Sequence, residues 1–331
     1  ARNNLLPRFS TQQLVAIGVI VVLTALNTRG LRTGARVQNV FTIAKVGALL
    51  GIIGLGFLFG RNPEAIQRNF SNFWGEASFG WTAIRLVGVG MVGALFSSDA
   101  WNNVTFTAGE VRNPRRDLPL SLALGVGIVS ALYLGCNLAY LSALPLEAIQ
   151  RAPEDRVATA VASAILGPLA VQAMAAAIMV STFGCLNGLI LAGSRVYYAM
   201  ALDGLFFERA ARLDPVHHAP VASLVMQCAW ACLLTLSGTY SDLLDYVIFA
   251  VLLFYILTIA GVFVLRWKRP EMERPYRAFG YPVLPALYIA AAGLIEILLL
   301  LYKPSYTWPG LILVLLGVPV YWLRRKRGVQ A

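Results

Sequence analysis

Charge is what this sequence has least of. Acidic and basic residues make up only 13% of the 331 residues, against about a quarter in a soluble domain. Hydrophobic residues make up 58%, and the mean hydropathy is +0.68. A soluble globule of that composition lacks the polar surface to stay in water, and the same figures exclude a disordered chain. There are two histidines and four cysteines. Cys136, Cys185, Cys228 and Cys232 all lie inside apolar runs, with no CxxC pair and no Cys/His cluster. A zinc or redox centre therefore has nothing to build on, and the thiols read as reduced packing residues. There is no HExxH, no Walker sequence and no GxSxG in a suitable setting, so nothing points to enzymatic hydrolysis or ATP use. No cofactor and no metal is implied. A basic, aromatic-laced groove is also missing, so the net charge of +11 is not that of a nucleic-acid binder.

What the sequence does have is uncharged apolar runs near 20 residues long. Nine are recognisable, at 10–27, 37–59, 82–106, 118–141, 165–200, 221–236, 243–265, 283–301 and 308–323. Runs of that length and continuity predict helices, because lipid offers a bare backbone no hydrogen bonds, and they are too long for barrel strands. The expectation is an all-α polytopic membrane protein of about nine transmembrane helices. Arg2 and Arg8 ahead of the first run imitate a signal peptide. No small-residue cleavage site follows, however, and Arg29, Arg32 and Arg36 come directly after, so the run reads as a true span. Counted loop by loop, seventeen Lys and Arg fall on one side and seven on the other. The basic side is the cytoplasmic one and includes the C-terminus. Nine spans then place the N-terminus outside. This, together with the initial Ala1, leads to the expectation that further helices precede the chain.

The third run carries an interruption. Phe96 is followed by Ser97-Ser98-Asp99-Ala100 and then Trp101. Ser and Asp favour helix N-caps, where their side chains bond free backbone N–H groups. A helix broken here leaves free carbonyls after Phe96 and free N–H groups before Trp101, partial charges suited to a cation and an anion. Discontinuous helices of this kind form transporter substrate sites near the bilayer midplane. The competing reading is a continuous helix with its polar face against neighbours. In the same run, Gly88-Val89-Gly90-Met91-Val92-Gly93 spells a dinucleotide GxGxxG, but no strand precedes it. With Gly47/Gly51, Gly56/Gly60 and Gly184/Gly188 it reads as close helix packing.

Isolated charges inside the runs are the other candidates. Lys45 lies about a third of the way into its span, where a charge costs at least about 3 kcal/mol unless it meets a partner or water. Shedding its proton would suit a proton carrier; snorkelling to the interface is the plainer alternative. Glu296, among leucines and isoleucines, reads as a protonated or paired carboxyl. Glu110 falls at the cytoplasmic mouth, either in an ion-pair gate with Arg195 or as a solvated loop residue. His217 and His218 read as surface residues.

The stretch from Phe96 through Trp101-Asn102-Asn103, Glu110 and Asn113-Pro114-Arg115-Arg116 to Pro119 resembles the broken sixth helix and following loop of amino acid permeases in the amino acid–polyamine–organocation (APC) superfamily. It is most like the L-type amino acid transporter branch. Three more stretches agree. Thr33 to Lys45 is similar to the family's fourth loop and fifth helix. Phe183-Gly184-Cys185-Leu186-Asn187-Gly188 with Ser194-Arg195 is similar to its eighth helix, and Leu265 to Pro275 to the loop after its tenth.

The resemblance implies the leucine-transporter fold, two inverted five-helix repeats and two further helices, here lacking its first three. Residues 10–60 would end the first repeat, 82–265 form the second and 283–323 the two C-terminal helices, in a single transmembrane domain. It implies an amino acid transporter, not an enzyme, in the plasma membrane. Such a protein works by alternating access, as a proton-linked symporter or an exchanger. Backbone carbonyls near Phe96, Ser97 and Asp99 would take the substrate ammonium. The Phe96 ring would gate it, with Ser98 and Trp101 completing the substrate-binding stretch. Lys45 would stand where sodium-coupled relatives hold sodium, bonding towards Ser181 or Cys185. Asp99 and Ala100 replace two glycines frequent in close relatives, and Val251 and Leu252 replace an Asn and a Trp. Asp99 points either to a cationic amino acid or polyamine, and so to an antiporter of those substrates, or to a local cap. A channel or a non-transporting fragment is the reading from another class.

Overall fold

The computed structural model describes residues 10–71, 80–237, 240–274 and 276–328. Arg2 and Arg8, and the side chains of Arg324, Arg325, Lys326 and Arg327, all counted above for orientation, lie outside the described residues. The described backbone is helical throughout and contains no strand. Its α-helices are α1 (Thr11–Asn27), α2 (Leu31–Leu58), α3 (Pro63–Phe70), α4 (Trp81–Ser97), α5 (Pro114–Ala143), α6 (Leu146–Gln150), α7 (Val157–Leu166), α8 (Leu169–Leu202), α9 (Val221–Ser237), α10 (Tyr240–Lys268), α11 (Val283–Tyr302) and α12 (Pro304–Gly328). A 3-10 segment, Asn103–Glu110, follows α4. Five of the helices are long and apolar enough to cross a membrane: α2, α5, α8, α10 over Val247–Lys268, and α11. Shorter apolar stretches of 10–17 residues are α1, α4, α7, Val221–Leu236 of α9 and Thr307–Trp322 of α12.

Each expected run contains a helix, with two differences of shape. The run 165–200 starts its long helix at Leu169, because Gly167 takes a positive φ of 70° and Pro168 follows, and together they separate α7 from α8. The run 82–106 is α-helical only to Ser97.

Outward-facing side chains are large and apolar: Ile43, Leu58 and Leu169 are each about three-quarters exposed. In water such a surface would aggregate, whereas against lipid it costs nothing. Where helices meet, small residues let backbones approach. A Cβ built on Gly184 would come within 2.7 Å of the Phe41 Cβ, and one on Gly88 would collide with Leu298. Gly56 against Ala139 and Gly60 against Ile165 are as tight, so the packing reading holds for these four, but a Cβ on Gly47, Gly51, Gly90 or Gly93 meets nothing within 4 Å. The GxGxxG thus contributes one close contact and no more.

Two packing groups result. In one, α8 lies at the centre of α1, α2, α7 and α9, with α5 against α2. Buried residues such as Leu23, Ile190 and Leu224, and Ile52, Cys136 and Ala170, form its core. In the other, α4, α10, α11 and α12 enclose Val92, Ile248, Leu252, Ala292 and Leu299. The 3-10 segment after α4 packs against α8 and α5. The two halves of the 82–106 run thus belong to different groups, and the seam between them is the break itself.

A buried amide network holds the first group together. Asn27 Nδ2 donates to Asn187 Oδ1 at 2.9 Å, and Asn187 Nδ2 donates to the Gly34 carbonyl and to Gln38 Oε1, both at 3.1 Å. Asn187 and Asn27 are almost wholly buried, so losing one partner strands the others.

Two expectations follow for the purified protein. Asn187→Ala should cost about 1–3 kcal/mol of stability, read as a fall in the detergent unfolding midpoint, while Asn39→Ala on an exposed face should leave that midpoint in place. At the break, Ala100 holds φ at 65°, a region that disfavours any L-residue with a Cβ. Ala100→Gly should leave the midpoint unchanged or raise it, by up to about 1 kcal/mol, and Ala100→Val should lower it.

Candidate functional site: the break after α4

The helix ends because its own side chains compete for its carbonyls. Ser97 Oγ donates to the carbonyls of Gly93 and Ala94, both at 3.0 Å, and Ser98 Oγ to those of Ala94 at 2.8 Å and Leu95 at 3.3 Å. Such back-bonding from adjacent serines weakens the ladder of the last turn. The expected N-cap role is therefore reversed: the serines serve the C-terminal end of α4. Asn102, which opens the 3-10 segment, makes no side-chain cap bond.

The carbonyls expected to be free are partly taken. The Asp99 N–H donates to Phe96 O at 3.2 Å, and the Tyr133 hydroxyl of α5 donates to Ser97 O at 2.7 Å. Asp99 does not cap the following segment. Its Oδ1 accepts the Tyr255 hydroxyl of α10 at 2.7 Å, and the same hydroxyl lies 3.1 Å from Asn102 Oδ1. Trp101 packs edge-on against the Tyr255 ring, with centroids 5.7 Å apart. Phe96 is half-buried against the core of the second group.

Lys45 on α2 faces α8. Its Nζ donates to Cys185 Sγ at 3.7 Å, and among the described residues this bond goes to Cys185 rather than to Ser181 a turn earlier. Gly184 lets α2 lie this close to α8, since a Cβ there would come within 2.7 Å of the Phe41 Cβ. Ser97 and Ser98 at the end of α4, Asn137 in α5 and Cys185 in the middle of α8 are all exposed, which is unusual for polar groups in a membrane unless they face a cavity or another helix.

Glu110 and Arg195 meet. Glu110 Oε1 lies 2.9 Å from Arg195 Nε, tying the end of the 3-10 segment to α8. The guanidinium is buried and also donates to the Leu191 carbonyl and to Ser194 Oγ on its own helix. Glu296 is buried in α11, and neither of its carboxyl oxygens has a partner among the described residues. His217 and His218 are exposed, and His217 Nδ1 lies 3.1 Å from Asp214 Oδ2. The backbone N–H of His217 holds the Asp214 carboxyl below its ordinary range.

Sequence reading missed the two tyrosines. The available signal was a phenol inside an otherwise apolar run, a group that seeks a partner wherever lipid surrounds it. What no spacing reveals is which partner, since Tyr133 and Tyr255 reach the break from helices 36 and 156 residues away in sequence.

Comparison with known proteins gives a consistent result. A family model described as "Amino acid permease" matches residues 4–321. Asc-type amino acid transporter 1 of Homo sapiens is 28% identical over 324 residues, covering 97% of this chain and 60% of the human protein. Large neutral amino acids transporter small subunit 2 of Mus musculus is 30% identical over 325 residues, 96% of this chain and 58% of its own length. The b(0,+)-type amino acid transporter 1 of Mus musculus is 28% identical over 316 residues, 94% of this chain and 62% of its own. The chain spans about 60% of the length of these curated relatives. A match running over nearly all of its residues, on a scaffold of apolar helices, makes the chain a member of the amino acid permease family within the APC superfamily.

Proposed function

We propose that the protein carries amino acids across the plasma membrane by alternating access, as a proton-linked symporter or an exchanger, with its C-terminus in the cytoplasm. The observation that carries this reading is the end of α4 at Ser97 inside an apolar run, with exposed polar residues around it. Backbone groups near Phe96, Ser97 and Asp99 hold the substrate ammonium, Ser98 and Trp101 complete the contact, and the Phe96 ring closes over it. In the leucine-transporter arrangement, residues 10–60 close the first repeat. Lys45 carries the coupling charge, with Cys185 as its near partner and Ser181 within a turn. Glu110 and Arg195 close the cytoplasmic mouth. Asp99, an acid at the break, favours a second reading as a cationic amino acid or polyamine antiporter.

The test is uptake of radiolabelled amino acids into liposomes reconstituted with the gene-length protein, competed with neutral and cationic amino acids and with polyamines. Saturable uptake inhibited by one of these classes supports the proposal; its absence for all three refutes it. Lys45→Ala should abolish uptake, and retention of normal rates by that variant would remove Lys45 from the mechanism. Glu110→Gln, Arg195→Gln and the double variant should lower uptake to a common level, because the pair acts as one unit. Additive losses would show that the two side chains act separately.

A further inference from the structure

Asp99 is the one ionisable side chain between Ser97 and Asn103. The two serine hydroxyls beside it are turned back onto α4 and bonded there, so they offer a ligand little. What the break presents is backbone and one carboxylate, and that carboxylate is already engaged. The Tyr255 hydroxyl, 2.7 Å from Oδ1, also lies 3.1 Å from Asn102 Oδ1, and the ring packs against Trp101. A single α10 side chain therefore contacts three residues of the unwound segment. A phenol has one proton to give, and the shorter contact assigns it to the carboxylate. One carboxyl oxygen of Asp99 is thus engaged from within the protein.

We propose that Tyr255 is a specificity-determining residue, holding Asp99 so that the break accepts neutral amino acids in preference to cationic ones. This rests on the amino acid reading given above. A carboxylate in a partly desolvated site needs compensation. With the phenol present, part of that compensation is internal, and a substrate need bring only its α-ammonium. With the phenol gone, the unsatisfied carboxylate draws compensation from the ligand, and a second ammonium or a guanidinium on the substrate gains relative to an alkyl chain. Tyr255 acts through Asp99, so it is a positioning residue, and its signature is a change in preference and not a loss of rate.

The experiment uses the gene-length protein in liposomes and the variants Tyr255→Phe, Asp99→Asn and the double variant, with labelled leucine and labelled lysine as probes. Tyr255→Phe removes one oxygen and leaves the ring against Trp101. It should shift the lysine-to-leucine ratio of kcat/KM about tenfold towards lysine, the size of one hydrogen bond to a charged group. In the Asp99→Asn background the same change should leave the ratio where Asp99→Asn alone sets it. Ligand-induced shifts of the unfolding midpoint in detergent, measured for both amino acids, give the same ratio without transport and apply to a variant that reconstitutes poorly. Equal losses for both probes would reduce Tyr255 to a structural clasp and overturn the proposal. So would a shift of the same size in the Asp99→Asn background. If the unmodified protein neither carries nor is stabilised by either amino acid, the permease reading itself fails and this proposal falls with it.

Discussion

Everything in this molecule depends on a peptide group in hydrocarbon having to find a hydrogen bond. For most of the chain the helix supplies it. At Ser97 it does not, and the structure answers locally. Two serine hydroxyls bond the last turn, the Asp99 N–H returns to Phe96 O, and a phenol from α5 reaches Ser97 O. An unsatisfied backbone group at that depth costs several kcal/mol, about as much as a single substitution in a well-packed core. The tyrosine from α5 satisfies a backbone carbonyl there, and the one from α10 holds the side chains of Asp99 and Asn102.

That local answer has a global form. The part of the run before the break packs with α10, α11 and α12, and the part after it lies against α8 and α5. Tyr133 reaches back across this seam to the end of α4, while Tyr255 holds the unwound residues to α10. Lys45 and Cys185 bond each other on the α8 side. Relative movement of the two packing groups would be registered first in these few polar contacts, since a hydrogen bond is directional and apolar packing is not.

The helical class and the position of the break were legible in the sequence, because both rest on features with a short range: run length, and three polar residues in succession. The pairing of Glu110 with Arg195 was nameable from charge and position alone, since a buried guanidinium needs an anion and few are present. The direction in which Ser97 and Ser98 bond was not legible. Serine caps either end of a helix, and only the backbone path, with Ala100 at positive φ, decides which. The partner of Asp99 was hidden for a different reason. Contacts across 156 residues are set by how α4 and α10 lie together, and single-sequence periodicity carries no information on that. The glycines divide the same way: Gly88 and Gly184 sit at contacts and Gly90 and Gly93 do not, although the spacing treats them alike.

Arg195 is fastened at three points, two of them on its own helix. Glu110, by contrast, is reached only through the segment that follows the break. If that segment swings outward, the carboxylate departs and the guanidinium stays, already oriented by Leu191 and Ser194. What stays behind is a fixed positive group, and the partner such a group draws in place of the lost one is another anion.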